Sequence, residues 1–384
     1  MESTYSFETE EHGQLRREVR RWAAREIAPH ARAWEEAGIF PRDLYNRASA
    51  AGLLGVGYPE SCGGGGGTLG HVVVSCEEMI LAGQSVGTVA GLGSHGIALP
   101  PILRAGTEAQ QQRFIPPVLR GERIAALAIT EPSGGSDVAS LQTRAVRDGD
   151  HYVVTGSKTF ITSGTRADFI TAAVRTGGPG HGGVSLLVIE ADTPGYAVGR
   201  KLEKMGWWAS DTAEIHFDQC RVPVDNLLGP EGAGFVVIAQ NFAIERVLLA
   251  VQCVAIATLA LRESVSYVRE RRAFGKPLVG FQVLRHKLAD MTTRLAAARA
   301  LTGDVIARLL KGEDMQVAGL AAMAKNAATD MCSYVCDEAV QLHGGYGYMR
   351  EQLVERLYRD ARLYPIGGGT REIMNEIICK TEGF

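Results

Sequence analysis

The sequence predicts an α+β fold in three consecutive parts: an N-terminal helical domain over residues 1–125, a middle β-domain over 126–232 and a C-terminal helical bundle over 233–384. Three observations predict it. Near the N-terminus Leu15, Val19, Trp22 and Ala23 recur at helical spacing among Arg and Glu. The middle holds short β-like runs broken by Gly, Pro and Asp. The last third holds long stretches rich in Ala, Leu and Arg, and Ala255 to Arg271 lacks Gly and Pro altogether.

The elements follow in order. Pro41-Arg42-Asp43-Leu44-Tyr45 reads as a helix start and Gly52 as its stop. The glycine run after Pro59 reads as a loop, Val72 to Ala82 begins another helix, and Gly121-Glu122 closes this part. In the middle, His151 to Lys158 reads as a strand then a turn at Gly156-Ser157. Phe169 to Val174, Val184 to Glu190 and Ala213 to Phe217 are further strands, and their spacing suggests a small barrel or sandwich. From Gly234 onward helices return, with Ala255–Arg271, Phe281–Lys311 and Val317–Leu342 forming a bundle.

The chain has 384 residues, 46% of them hydrophobic, enough for a large core. A net charge of −3 favours neither nucleic acid nor an anionic membrane as partner. Gly makes up 46 residues, about 12% against a usual ~7%, and the excess clusters in loops. No run reaches the ~20 uninterrupted apolar residues of a membrane span. The start, Met1-Glu2-Ser3-Thr4-Tyr5, is acidic and polar without an apolar signal core. Seven scattered cysteines (62, 76, 220, 253, 332, 336 and 379) read as buried free thiols, and the expectation is a cytoplasmic protein without a metal site. Cys332 and Cys336 stand one helical turn apart but lack a matching Cys/His pair nearby.

The motif Ala128-Ile129-Thr130-Glu131-Pro132-Ser133-Gly134-Gly135-Ser136-Asp137 is a strand end running into a turn rich in hydroxyls and glycine. Such a turn offers hydroxyl and backbone N–H donors to a polar ligand. Further along stand Phe160-Ile161-Thr162-Ser163-Gly164, Lys204-Met205-Gly206 and Val222-Pro223-Val224-Asp225-Asn226-Leu227-Leu228-Gly229. Arg271-Arg272-Ala273-Phe274-Gly275, Phe281-Gln282, Gln341-Leu342-His343-Gly344-Gly345-Tyr346-Gly347-Tyr348 and Arg359-Asp360-Ala361-Arg362 follow, leading to Ile366-Gly367-Gly368-Gly369-Thr370-Arg371-Glu372-Ile373.

In this order the set resembles the acyl-CoA dehydrogenase family across essentially the whole chain. The resemblance implies an N-terminal helical domain, a middle β-domain and a C-terminal four-helix bundle. It implies FAD bound between the last two, with Thr130 and Ser136 in the flavin-facing strand and turn, and with Phe160, Ile161 and Thr162 along the isoalloxazine. Arg271, Phe274, Gln282, Gln341, Gly344 and Gly345 would reach the FAD of a neighbouring subunit, so a homodimer or homotetramer is implied. Thr370 and Glu372 would close over the FAD from the other side. Ser136, Phe242, Arg246 and Gly369 would contact an acyl-CoA substrate, and an electron-transfer flavoprotein would receive the electrons.

Many relatives carry their catalytic glutamate at the position of Gly368. Here that position is glycine, and Glu245 stands where the long-chain and isovaleryl branches of the family place the base. The helix itself agrees. Leu248, Leu249 and Gln252 lie three, four and seven residues beyond Glu245 and share its face. A carboxylate on an apolar stripe is costly unless paired or functional, and adjacent Arg246 does not face it. Poor solvation raises its basicity, which suits a general base for a weak carbon acid. The resemblance assigns Glu245 the α-proton and the backbone N–H of Gly368 the thioester carbonyl, yielding a trans-2-enoyl-CoA.

One departure is Trp207-Trp208, where relatives often have arginine at the second position. The pair is expected either to reshape the flavin edge and site entrance or to pack on the β-domain. A carrier-protein-bound acyl substrate, or a flavin-dependent oxidase or monooxygenase on the same fold, remain alternatives.

Overall fold

The computed structural model describes residues 4–313 and 317–384. Of the expected N-terminal features, Met1 to Ser3 lie outside the described residues. Eight helices come first: α1 (Glu10–Glu26), α2 (Ala31–Ala37), α3 (Asp43–Ala50), α4 (Leu69–Gly83), α5 (Val86–Leu92), α6 (His95–Ala98), α7 (Pro100–Ala105) and α8 (Glu108–Leu119). α1 turns Val19, Trp22 and Ala23 inward, as their spacing requires. Gly52, at φ +73°, ends the α3 segment.

Eight strands follow: β1 (Ala125–Ala128), β2 (Arg144–Asp148), β3 (His151–Thr162), β4 (Phe169–Arg175), β5 (Val184–Glu190), β6 (Tyr196–Lys201), β7 (Thr212–Pro223) and β8 (Leu227–Leu228). They form one sheet in the order β6-β7-β3-β2-β4-β5-β8, with β1 parallel to β4. Alternate residues from β1, β2, β3, β4, β5 and β7, among them Ala126, Val154, Ile170, Leu187 and Ile215, meet in one cluster, so the sheet curls around its own core. The opposite faces of β4 and β5 present Phe169, Ala173, Leu186 and Val188 to Phe114, Ile115 and Val118 of α8. Both strands are therefore buried on two sides, and the sheet is fixed against the N-terminal helices.

The expected turn at Gly156-Ser157 is a correction. β3 continues through it to Thr162. Gly156 has φ +150°, and a Cβ there would lie 2.7 Å from Thr143 Cα. Glycine permits this close approach, and the ladder to β7 shifts register between Val154 and Gly156, with the extra residue on β7, instead of ending.

The C-terminal part contains α9 (Gly234–Glu270), α10 (Gln282–Leu309), α11 (Ala318–His343), α12 (Leu353–Ala361) and α13 (Arg371–Glu382), with a small hairpin of β9 (Arg272–Ala273) and β10 (Lys276–Pro277) after α9. α9, α10, α11 and α13 make the four-helix bundle, and α12 lies across α9 and α11. α9 is long and apolar enough to cross a membrane, yet 67% of its most apolar window is buried inside the protein, as in a core helix. Its Ala250 to Ala260 stretch packs in one cluster with Trp22, Phe40, Leu44 and Ile80, so helices from both ends of the chain share a core. Arg16 of α1 ties this junction by ion pairs to Glu8, Glu77 and Glu78, and Arg299 of α10 adds one to Glu77. All seven cysteines are free thiols, and Cys62, Cys220, Cys253, Cys332 and Cys336 are buried.

Candidate active site

Glu245 sits in the first third of α9, one turn before Leu249. Gly368 lies in the loop between α12 and α13, at φ +64°. A Cβ built on Gly368 would lie 3.5 Å from Glu245 Oε1 and 2.5 Å from Leu249 Cδ1. The two backbone positions therefore converge on one point, and Leu249 fills the space a side chain at 368 would take.

Glu245 is half-buried and makes no hydrogen bond or ion pair among the described residues. Desolvation raises its pKa above the ordinary carboxylate range, against the opposing pull of Arg246 and Lys325. Arg246 is buried, its Nε lacks a hydrogen-bond partner among the described residues, and its guanidinium lies 4.9 Å from the Phe242 ring centroid. A carboxylate and a guanidinium nitrogen both left without hydrogen bonds are expensive in a folded core, which is the mark of groups kept for a ligand or for chemistry.

Lys325, which the sequence reading passed over, stands between α11 and this loop. It is 1% exposed, and its Nζ donates to Gly367 O at 2.6 Å and also to Gly369 O. Its signal was present: a lysine among Ala321, Ala322, Ala324 and Ala328 on one helix. Gly369, at φ +91°, precedes Thr370, which caps α13 by accepting a hydrogen bond from Ile373 N. Glu372 is exposed on the first turn of α13.

The turn after β1 is held from below. Lys158 of β3, 0% exposed, donates to Ile129 O at 3.0 Å and to Glu131 Oε1 at 2.8 Å. The Glu131 carboxylate also accepts from the backbone N–H groups of Gln142 and Thr143. Burial pushes the Glu131 carboxyl up, but Lys158 and these donors outweigh it and hold it below the ordinary range. Burial brings Lys158 down to about 8. Removing one partner of such a buried pair strands the other, so Lys158→Met is expected to destabilise the protein by about 3–5 kcal/mol. Denaturant unfolding checks this, and a loss under about 1 kcal/mol would show the pair to be dispensable.

On this support Thr130 is half-buried and Ser136 exposed. A bulge in β3 itself, between Lys158 and Ile161, turns Phe160 outward at φ +59° with 68% of its surface exposed. Thr162 is half-buried. Ile161 is 2% exposed in the sheet's core, so only its main chain is available to a ligand. Exposed aromatic surface next to hydroxyls on a bulged strand fits a planar heterocycle such as a flavin.

Arg271, Gln341, Gly344 and Gly345 line a separate cavity of about 540 Å³ with Tyr267, His343 and Tyr346. Phe274, 94% exposed, tips the β9–β10 hairpin, and Gln282 opens α10. Arg271 lies 26 residues beyond Glu245 along α9, which at ~1.5 Å per residue is ~39 Å. Within one chain the two groups cannot belong to one site.

The Trp pair packs at a junction. Trp208 lies between the guanidinium groups of Arg350 and Arg359, at 4.5 and 4.0 Å. Trp207 meets Tyr364 edge-on at 5.5 Å, and its backbone N–H donates to Asp360. The indoles thus tie the β-domain to α12 and the segment leading to Gly368.

Models of the acyl-CoA dehydrogenase N-terminal, middle and C-terminal domains match residues 9–122, 126–220 and 232–382. An acyl-CoA dehydrogenase of Bacillus subtilis is 39% identical over 97% of this chain and 98% of its own length. The long-chain specific acyl-CoA dehydrogenase of Mus musculus mitochondria is 39% identical, over 96% of this chain and 86% of its own. The crystal structure of a probable acyl-CoA dehydrogenase from Mycobacterium abscessus has a TM-score of 0.96 at 53% identity, covering 98% of this chain and 99% of that one. A Bacillus anthracis acyl-CoA dehydrogenase solved with FAD has a TM-score of 0.91 at 29% identity, covering 99% of this chain and 68% of that one. Matched along nearly its whole length by all three domain models and by these relatives, the chain belongs to the acyl-CoA dehydrogenases, a family of FAD-dependent oxidoreductases.

Proposed function

We propose that this chain dehydrogenates an acyl-CoA thioester to the trans-2-enoyl-CoA, with Glu245 as the base. The observation that carries this reading is the convergence of the desolvated Glu245 carboxylate and the Gly368 backbone on one point. Bound FAD supplies the hydride acceptor. Thr130, Ser136, Phe160, Ile161 (through its main chain) and Thr162 would hold it from the β-domain, and Thr370 and Glu372 from the start of α13. Glu245 removes the α-proton of the acyl chain. The Gly368 N–H donates to the thioester carbonyl and stabilises the charge that develops there. That donor is main chain, so glycine serves as well as glutamate. Arg246 and Phe242 line the substrate's approach, with Gly369 and Ser136 contacting its thioester and CoA portions.

The ~39 Å separation of Arg271 from Glu245 supports a homodimer or homotetramer. In it Arg271, Phe274, Gln282, Gln341, Gly344 and Gly345 complete the FAD site of a second copy. Seven free cysteines support a reducing compartment such as the cytoplasm. An electron-transfer flavoprotein is the acceptor the family resemblance implies. The placement of the base favours long or branched acyl chains.

The test is anaerobic. Straight long-chain, short-chain and branched acyl-CoAs are mixed with the FAD-loaded protein, and the flavin absorbance is followed. Bleaching by a long or branched acyl-CoA is the expected result. No bleaching by any CoA thioester would overturn the reading and favour a carrier-bound substrate or an oxygen-using flavoenzyme.

A further inference from the structure

We propose that Lys325 is a positioning residue for the reaction: by clamping the carbonyls of Gly367 and Gly369, it fixes and polarises the peptide whose N–H donates to the thioester carbonyl. This rests on the assignment of that role to Gly368 N–H.

The geometry is specific. Gly367 O and Gly368 N–H belong to the same peptide unit. Lys325 Nζ donates to that oxygen at 2.6 Å and to Gly369 O two peptide units further on. Gly368 and Gly369, at φ +64° and +91°, are both in conformations open chiefly to glycine, and the clamp spans them. A cation on a peptide oxygen draws electron density toward it and strengthens the opposite N–H as a donor. The relay is therefore ammonium to Gly367 carbonyl, then Gly368 N–H to the thioester oxygen. It supports enolate-like charge at the carbonyl while Glu245 takes the α-proton.

A lysine here is costly, which argues against incidental placement. Lys325 is 1% exposed and, among the described residues, has no carboxylate partner in direct contact. Its charged neighbours are Arg246 and Glu245 on α9, with the Cys253 thiol also facing it. Burial first, and Arg246 second, bring its pKa down to about 8, with Glu245 opposing. Its ammonium is thus present at neutral pH and lost as the pH rises through about 8.

The experiment reads the carbonyl directly. FAD-loaded protein is mixed with trans-2-hexadecenoyl-CoA carrying carbon-13 at its carbonyl, or with methacryloyl-CoA so labelled if only branched substrate bleaches the flavin. Difference infrared spectroscopy then gives the carbonyl stretch of the bound thioester. The wild type should show a downshift relative to free thioester that shrinks as the pH rises through about 8. Lys325→Met should lose most of that downshift, with kcat lowered about 10-fold and KM changed less, since an oxyanion donor is weakened and not removed. Lys325→Arg should restore part of both. A full downshift in Lys325→Met, or a wild-type downshift unchanged through that pH range, overturns the inference while leaving the Gly368 assignment standing. No downshift in the bound wild type overturns both. The wild-type pH series needs no variant, so a misfolded Lys325→Met does not rescue the idea.

Discussion

Glu245→Gln should leave a yellow, folded protein that binds acyl-CoA and scarcely turns it over. Glutamine keeps the shape and length of the side chain, so FAD content and the spectral change on binding product should match the wild type. The α-proton would lose its acceptor, and general-base catalysis is worth about 100- to 10,000-fold. The rate of flavin bleaching in single turnover should fall by that much. A variant bleaching within a few-fold of the wild type would remove Glu245 from the chemistry.

The pH dependence follows from the same carboxylate, with the sign fixed by which form works. The base must be ionised, and burial raises its pKa above the ordinary range. The wild-type kcat/KM should therefore rise as pH increases through that raised pKa, and the variant should lack this limb. Removing a desolvated ionisable group from an apolar face should also leave stability equal or slightly higher, the usual opposition of function and stability at such sites.

Glu245, the proposed base, was singled out by the family resemblance, and its place on an apolar helix stripe agreed with it; the structure places it half-buried beside the Gly368 backbone. Lys325 obeys the same logic, and its role needed the fold. Its partners are loop carbonyls 42 and 44 residues away, and no spacing in the sequence announces a side chain that bonds to main chain. Lys158 was hidden by a local misreading. Tyr152 and Val154 point into the sheet's core, and the same period of two places Lys158 there. Ending the strand at Gly156 broke the count before it reached the lysine. The helix–β–helix order was legible from periodicity alone. That helices from the two ends build one core was not, because packing between Trp22 or Phe40 and Ala250 to Ala260 is a property of the tertiary structure. The Trp207-Trp208 pair drew notice as bulk near a site, whereas its partners, Arg350, Arg359 and Tyr364, are all distant in sequence.

Gly368→Glu in the wild-type background should nearly silence the enzyme, although it installs the residue many relatives use there. A side chain at φ +64° costs roughly 1–2 kcal/mol, and its Cβ would press on Leu249 Cδ1. The larger effect is electrostatic. That Cβ would begin 3.5 Å from Glu245 Oε1, so two carboxylates would crowd a poorly solvated space already unfavourable to one. Such a pair shares a proton, and one pKa rises strongly. At neutral pH the carboxylate left ionised is hydrogen-bonded to its protonated neighbour and so is a weaker base, and turnover should fall at least about 10-fold, within the range general-base catalysis contributes. The fall should be largest at low pH and partly recover as the pH rises and the second proton leaves. The companion variant separates charge from bulk: Gly368→Glu with Glu245→Gln and Leu249→Ala keeps one carboxylate and clears its space. It should turn over at least about 10-fold faster than Glu245→Gln alone, because either backbone position can deliver a base to the same point. A folded, FAD-loaded triple variant no faster than Glu245→Gln would show that convergence of the two positions is not enough for either to serve.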